Sequence, residues 1–265
     1  MRASFPAVLA FVALLLAQGC AHTRPPADET SALRKAMARH AVRQGQWAAA
    51  MDLLSELYRA SPRDAEVLAL RGVALREQGL LHEAETELLE AVRLAPDYAW
   101  GQAQLAVLLD LLEKPDQALV HHRRAVALEP ENPGWLNNLA FSQFARGQTA
   151  EAIEGYRHAV RLAPNDARIR NNLGFALARS GDFRAAAEQF RHAGGAADAR
   201  INLGLAYEIA GNLAQAFDLY LEAARLDPGS TKARSNLEHV AQRLGRAVPQ
   251  TAALETTGAE GRQGP

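Results

Sequence analysis

The chain has few of the residues that form covalent cross-links or catalytic sites. Cys20 is its only cysteine, so no disulfide can form within it. Its net charge is −1, and acidic and basic residues are interleaved without a basic stripe, which argues against a nucleic-acid partner. It contains no glycine-rich phosphate loop, no G-x-S-x-G and no H-E-x-x-H. We therefore predict that it is not an enzyme and takes no cofactor and no small-molecule substrate.

Regularly spaced prolines are the strongest feature of the sequence. Pro62, Pro96, Pro130 and Pro164 follow one another at intervals of 34 residues. With the proline at position 32 of each unit, the chain divides into six units: 31–64, 65–98, 99–132, 133–166, 167–196 and 197–230. A fixed period of this length is typical of a stacked helical repeat, which is a binding surface more often than a catalytic one.

Small residues recur at two further positions of every unit. Position 8 holds Ala38, Gly72, Ala106, Ala140, Gly174 and Gly204, and position 20 holds Ala50, Ala84, Ala118, Ala152, Ala186 and Ala216. Small side chains at both positions let two helices approach closely, and larger residues at positions 7 and 24 fill the space beside them. Each unit is therefore predicted to be a helical hairpin.

Glycines mark the turn inside each hairpin. Position 15 is glycine in five of the six units, where the first helix ends and a left-handed residue is needed. The third unit has Glu113 there, followed by Lys114-Pro115, which predicts a turn of different construction. The prolines at position 32 end the second helix, because proline lacks a donor and disfavours helix just before it.

These positions resemble the tetratricopeptide repeat family over residues 31–230. The resemblance implies an all-α, right-handed superhelix (an α-solenoid) of six helical hairpins plus a capping helix at 231–245, thirteen helices in all. Leu237, Val240 and Leu244 give the capping helix one apolar stripe. Residues 246–265 contain few large apolar side chains and are predicted to be a disordered tail.

One unit is four residues short. The proline after Pro164 that fits the pattern is Pro228, 64 residues later, and Gly194-Gly195 runs directly into the sixth unit. Four residues are about one helical turn. The second helix of the fifth unit is therefore expected to lose its last turn.

The first 30 residues differ in kind from the repeats. Arg2 is followed by an apolar run from Ala7 to Ala17, which suits the core of a signal peptide at 1–19 and is short for a membrane span. The sequence LAQGC ending at Cys20 resembles the lipobox of bacterial lipoproteins. That resemblance implies a lipidated Cys20, a tether at 20–30 and a position on the periplasmic face of the outer membrane in a Gram-negative bacterium. The alternative is an ordinary cleaved signal and a secreted periplasmic protein.

The histidines do not form a metal-binding pattern. His121 and His122 are adjacent and point about 100° apart on a helix. His158 and His192 share position 26 of neighbouring units, but no carboxylate or cysteine spacing completes a ligand set. We predict that the chain binds no metal and that these two side chains lie on a solvated outer face.

Asparagines mark the candidate binding surface. In this family, positions 2, 5, 6, 9 and 12 tend to face the concave groove, and position 6 is Asn138, Asn172, Asn202 and Asn236 in four consecutive first helices. An asparagine can pair with both groups of a peptide bond. The row resembles the peptide-binding ladder in the superhelix of O-GlcNAc transferase. The alternative is that these asparagines only support packing between repeats.

Aromatic residues accompany the asparagines. Phe141, Phe144 and Phe175 occupy positions 9, 12 and 9 of the fourth and fifth units. They suit either an extended protein segment with apolar side chains or packing between repeats. The groove of units four to six is therefore the predicted site for a protein or extended peptide.

The sequence gives two interpretations of the partner. A lipoprotein made mostly of such repeats, with the NNLG motif at 171–174, resembles the pilus-associated lipoproteins of tight-adherence (Flp) and type IV systems. That implies an assembly factor for a pilus or secretion machine. The other interpretation is an adaptor that brings periplasmic proteases or cell-wall enzymes to the membrane.

Overall fold

The structure, a computed structural model, describes residues 27–249, and all regular structure within them is helical. The thirteen helices are α1 (Ala27–Arg43), α2 (Trp47–Ala60), α3 (Ala65–Glu77), α4 (Leu81–Leu94), α5 (Ala99–Leu111), α6 (Pro115–Leu128), α7 (Pro133–Ala145), α8 (Thr149–Leu162), α9 (Ala167–Arg179), α10 (Phe183–Ala193), α11 (Ala196–Ile209), α12 (Leu213–Leu226) and α13 (Thr231–Leu244). The predicted all-α solenoid is confirmed. The predicted signal peptide, Cys20 and residues 250–265 lie outside the described residues.

The helices form six hairpins, α1–α2 to α11–α12, closed by α13. Each helix packs on the next one in the chain. The first helices of neighbouring hairpins also touch each other, whereas no two second helices of neighbouring hairpins do so within the described part of the chain. The first helices therefore lie closer together and line the concave side of the stack. None of the thirteen helices combines the length and apolar character that a membrane crossing requires.

Close approach inside each hairpin depends on the small residue at position 8. A Cβ placed on Gly174 would lie 2.5 Å from the ring of Phe190, and one on Gly204 would lie 2.7 Å from the ring of Tyr220. Both rings are almost fully buried. The large residue at position 24 therefore occupies the volume that a side chain at position 8 would need.

The turns between the helices of each hairpin share one backbone conformation. The glycines at position 15 have φ between 69° and 92°, in the left-handed region. Glu113 takes the same conformation, with φ of 56°, and is the only described non-glycine residue with positive φ. The Lys114 amide donates to the Leu109 carbonyl, just as the Leu80 amide donates to Leu75 in the second hairpin. The prediction of a differently built third turn is wrong, because the hydrogen bonds around Glu113 hold it in the shared geometry.

The fifth hairpin is shortened as the missing residues predict. Helix α10 has 11 residues, whereas the second helix of every other hairpin has 14. Only Gly194 and Gly195 separate it from α11, and Gly195 is the residue that precedes that helix.

Two predicted boundaries differ from the structure. Helix α1 begins at Ala27, so the last four residues assigned to the tether are helical. At the other end, Val248 packs on the last core cluster and the guanidinium of Arg246 lies 5.4 Å from the ring centroid of Phe217. The chain is therefore in contact with the fold for at least three residues after Gly245.

The contact between Gly174 and Phe190 gives a first prediction. Replacing Gly174 by leucine should separate α9 from α10 and cost at least about 1–3 kcal/mol of stability, because the core cannot accommodate the added volume. Urea denaturation followed by circular dichroism measures the cost.

A matched pair of variants tests whether volume is the cause. Gly174→Ala combined with Phe190→Leu reproduces the alanine–leucine pair that Ala38 and Leu54 form in the first unit. The double variant should be more stable than the sum of the two single costs implies. Additive costs would show that the ring of Phe190 does not limit position 8.

The strained turn gives a second prediction. Glu113→Gly should raise the free energy of unfolding by about 1 kcal/mol, because left-handed backbone costs a residue with a Cβ roughly that much. Gly79→Glu is the matched reverse change, since no atom lies within 4 Å of the Cβ position there. It should destabilise by a similar amount. Thermal melts that move in the same direction for both variants would contradict this account.

Candidate functional site

An apolar groove of about 660 Å³ lies on the concave side of hairpins four to six. Its aromatic and aliphatic lining includes Phe141, Phe144, Phe175, Leu205 and Ile209, which come from α7, α9 and α11. We call this surface the aromatic groove. The sequence placed the three phenylalanines in it, and the structure adds the two aliphatic residues of the sixth hairpin.

The lining side chains differ in their exposure. Phe141 is 53% exposed and Ile209 is 74% exposed, so both present apolar surface to solvent. Phe175 is half-buried and packs edge-on against Phe190, with ring centroids 4.9 Å apart. Phe144 and Phe175 line the groove and also pack on the central core cluster, so packing between repeats accounts for part of their surface. The groove therefore has a fixed base and an exposed apolar rim.

Arg179 supplies a positive charge in the aromatic groove. Its Nη1 donates to the Phe144 carbonyl oxygen over 3.0 Å, and its guanidinium carbon lies 4.8 Å from the centroid of the Phe144 ring. These two contacts hold the cation between the fourth and fifth hairpins. Sequence reasoning missed Arg179, because its role depends on a carbonyl of the preceding repeat.

The asparagines form hydrogen bonds from one hairpin to the next. Asn172 Nδ2 donates to Asn137 Oδ1 at 2.9 Å, and Asn202 Nδ2 donates to Asn171 Oδ1 at 3.0 Å. Asn138 accepts a weaker bond of 3.3 Å from Asn137 within α7. Position 6 of one repeat is thus tied to position 5 of the repeat before it. These contacts give the asparagines a structural role.

The same asparagines keep some capacity for a ligand. Asn172 lines the aromatic groove. The bond to Asn137 uses one of its two amide hydrogens, and its carbonyl oxygen has two lone pairs. Asn236, on α13, is half-exposed and has no amide partner among the described residues, so the row of bonds ends at Asn202.

A buried polar cluster lies between hairpins three and four. His122 is 2% exposed, and its Nε2 is 2.9 Å from Asp110 Oδ2. Ser142 Oγ donates to the other carboxylate oxygen over 3.3 Å. Although this is the residue set of a hydrolase triad, serine and histidine both contact the aspartate, so the serine lacks the histidine base that a nucleophile needs. The cluster therefore joins two repeats.

His122 was not recognised from the sequence as a core residue. It stands at position 24, where the other units have large core side chains, and that register is the signal that identifies it. Tyr220 repeats the arrangement in the sixth hairpin, where its hydroxyl donates to Glu208 Oε2 over 2.9 Å. His158 is half-buried and His192 is exposed. No three side chains of metal-ligand type come together in the part of the chain that is described.

The concave side of the first three hairpins has a different character. A groove of about 770 Å³ there is lined by Arg39, Glu66, Tyr98 and Trp100 among others. Lys35 Nζ lies 2.8 Å from Asp64 Oδ2, and Arg39 Nη1 lies 3.0 Å from Glu66 Oε1. The hydrogen bond to Asp64 raises the pKa of Lys35 despite partial burial. This surface is charged and carries close ion pairs, so the exposed aromatic character belongs to hairpins four to six.

Family models and solved structures agree with this architecture. A model described as TPR repeat matches residues 142–181, and a second, described as Tetratricopeptide repeat, matches 35–99 and 171–231. No curated protein shows significant similarity in sequence.

Three solved structures illustrate the similarity in fold. PilF of Pseudomonas aeruginosa is 17% identical over 80% of this chain and 98% of its own, with a TM-score of 0.64. PilW, a widely conserved type IV pilus biogenesis factor, is 16% identical over 78% and 98%, with a TM-score of 0.66. YrrB, a TPR protein with an unusual peptide-binding site, is 22% identical over 70% and 97%, with a TM-score of 0.55.

The repeat period, the stacked hairpins and the matching repeat models lead to one assignment. Proteins built in this way act as scaffolds for protein–protein interaction, and the apolar concave groove is consistent with that role. The chain belongs to the tetratricopeptide repeat family.

Proposed function

We propose that the protein is a periplasmic scaffold, anchored to the outer membrane through a lipid on Cys20, whose aromatic groove binds an extended segment of another protein. The observation that carries the proposal is the exposed apolar rim of the groove, Phe141 and Ile209, above the fixed ring of Phe175. Large apolar side chains gain about 25 cal/mol per Å² when a partner covers them. A segment with apolar side chains gains most from this surface.

Polar groups beside the apolar lining orient the segment. The backbone groups within the lining helices are already paired, so the segment's peptide groups can be recognised only by side chains. Asn172 has a free amide hydrogen and free lone pairs, and Asn138, Asn202 and Asn236 continue the row on either side. Arg179 adds a fixed positive charge that suits a carboxylate or a carbonyl of the partner. In this proposal, apolar contacts supply the affinity, and the asparagine amides determine the position of the bound segment along the groove.

We propose that the partner belongs to a pilus or secretion machine. The similarity in fold to PilF and PilW, the second of which is a type IV pilus biogenesis factor, supports this choice. The matched region covers 98% of PilF and 98% of PilW. An adaptor for periplasmic proteases or cell-wall enzymes would use the same groove, so the identity of the captured partner distinguishes the two functions.

A photoreactive residue at position 209 tests the groove and the partner together, because Ile209 is the most exposed of the large apolar residues that line the groove. Crosslinking in cells followed by mass spectrometry should recover pilus or secretin components. Recovery of cell-wall hydrolases alone would contradict the pilus assignment and leave the groove in place. A crosslinking pattern equal to that from position 120 on α6 would contradict the groove itself.

The third prediction concerns the exposed rim. Changing Phe141 and Ile209 together to serine should abolish the crosslinks from a photoreactive residue at position 205 and leave the melting temperature nearly unchanged, because both side chains are more than half exposed. Val120→Ser, at an equally exposed position on a second helix, is the matched control and should preserve partner capture. Unaltered capture by the double variant would refute the proposed contact.

The fourth prediction concerns the anchor. Cys20→Ser should abolish incorporation of an acyl label and release the mature protein from the outer-membrane fraction, since acylation requires the thiol. More than one acyl chain is enough for stable anchoring. Ala21→Ser is the control and should retain both properties. Equal acyl labelling of the Cys20→Ser variant would rule out lipidation at this residue.

A further inference from the structure

The outer face of α1, at the first end of the stack, exposes apolar side chains. Leu33 is 62% exposed and Met37 is 50% exposed. His40 is also exposed, and the spacing of four and three residues places all three on one side of the helix. We call these residues the end face.

The end face corresponds to a buried surface in the later repeats. Leu33 and Met37 stand at positions 3 and 7 of the first unit. At position 3, Val67 and Ile169 are 1% exposed, and at position 7, Leu105 is fully buried, because the preceding hairpin covers them. No described hairpin precedes α1. The opposite end of the stack is different, since α13 presents the exposed polar side chains of Lys232, Glu238 and Gln242.

A second copy of the chain is a poor occupant of this face. Stable protein interfaces bury about 1,200–2,000 Å² in total. Two half-exposed aliphatic side chains on each copy supply a small fraction of that area. The partner that covers the end face must therefore be one that a weak contact can hold in place.

The distance to the proposed anchor identifies such an occupant. Helix α1 begins at Ala27, seven residues after Cys20, and a fully extended chain of that length spans about 25 Å. A tether this short gives the end face a high effective concentration at the membrane, so a contact of low intrinsic affinity becomes occupied. Arg43, the last residue of α1, is exposed and lines the concave groove next to this face. It has no ion-pair partner among the described residues, so it suits anionic headgroups at the edge of the contact.

We infer that the end face inserts Leu33 and Met37 into the headgroup region of the membrane, so that the solenoid stands on its first hairpin. The inference rests on the proposed lipid anchor. Neighbouring first helices are about 8–10 Å apart when packed, so the aromatic groove begins roughly 25–30 Å above the membrane. In this arrangement the groove faces sideways into the periplasm at a fixed height.

Spin-label accessibility tests this orientation in the acylated mature protein on vesicles of phosphatidylethanolamine and phosphatidylglycerol. The lipid occupies the thiol of Cys20, so Met37→Cys provides one reactive site for a nitroxide. On vesicle binding, the ratio of collisions with oxygen to collisions with an aqueous nickel chelate should rise several-fold at position 37. Labels at Val120→Cys and Glu238→Cys, on exposed surfaces away from α1, should keep their solution ratio.

The outcomes separate the inference from the anchor on which it rests. If the protein is acylated and sediments with the vesicles while the label at position 37 stays as accessible to nickel as the label at 120, the orientation is wrong and the anchor stands. If the mature protein is not acylated, both proposals fail. Spin–spin broadening at position 37 without vesicles would show that the end faces pair two copies, which also overturns the membrane contact.

Discussion

The close approach of the two helices in each hairpin is the constraint on which the rest of the structure depends. Glycine or alanine at position 8 admits the large residue at position 24, and in the fifth hairpin a single added Cβ would reach 2.5 Å from the Phe190 ring. Once each hairpin is this thin, neighbouring first helices touch and neighbouring second helices do not. The curvature that creates a concave surface follows from that difference, so the aromatic groove is a consequence of small residues buried beneath it.

The sequence predicts the hairpins well because their signals are local. Prolines, glycines and small residues recur at fixed positions, and the helices begin and end beside them. Glu113 shows the limit of this reasoning. Left-handed backbone disfavours a residue with a Cβ by about 1–2 kcal/mol, which a turn held by several hydrogen bonds can tolerate. A missing glycine therefore does not imply a different turn. The start of α1 was missed for a related reason, since no repeat signal precedes it.

The candidate site was predictable only in part. Repeat register places Phe141, Phe144 and Phe175 on the groove, because the position within a repeat determines the face of the helix. The contributions of Arg179, Asn137 and His122 depend on contacts with other helices, which the register of a single repeat does not contain. Asn172 reaches a residue 35 positions earlier, and Asn202 reaches one 31 positions earlier. The two separations differ by four residues, which is the length of the deletion in the fifth hairpin. The hydrogen bond between positions 6 and 5 of neighbouring repeats is therefore preserved, although the spacing in the sequence is shorter.

The hydrogen bonds between asparagines of neighbouring hairpins also affect how the groove binds a segment. A free row of asparagines would reorganise to meet a peptide, whereas Asn172 and Asn202 are already held by Asn137 and Asn171. Their remaining donors and acceptors therefore start from fixed positions, which reduces the entropy lost on binding. The same hydrogen bonds oppose separation of the fourth, fifth and sixth hairpins at the groove. Packing between repeats and recognition of a ligand are thus compatible roles for these asparagines, because the structural bond sets the geometry that the unused amide groups present.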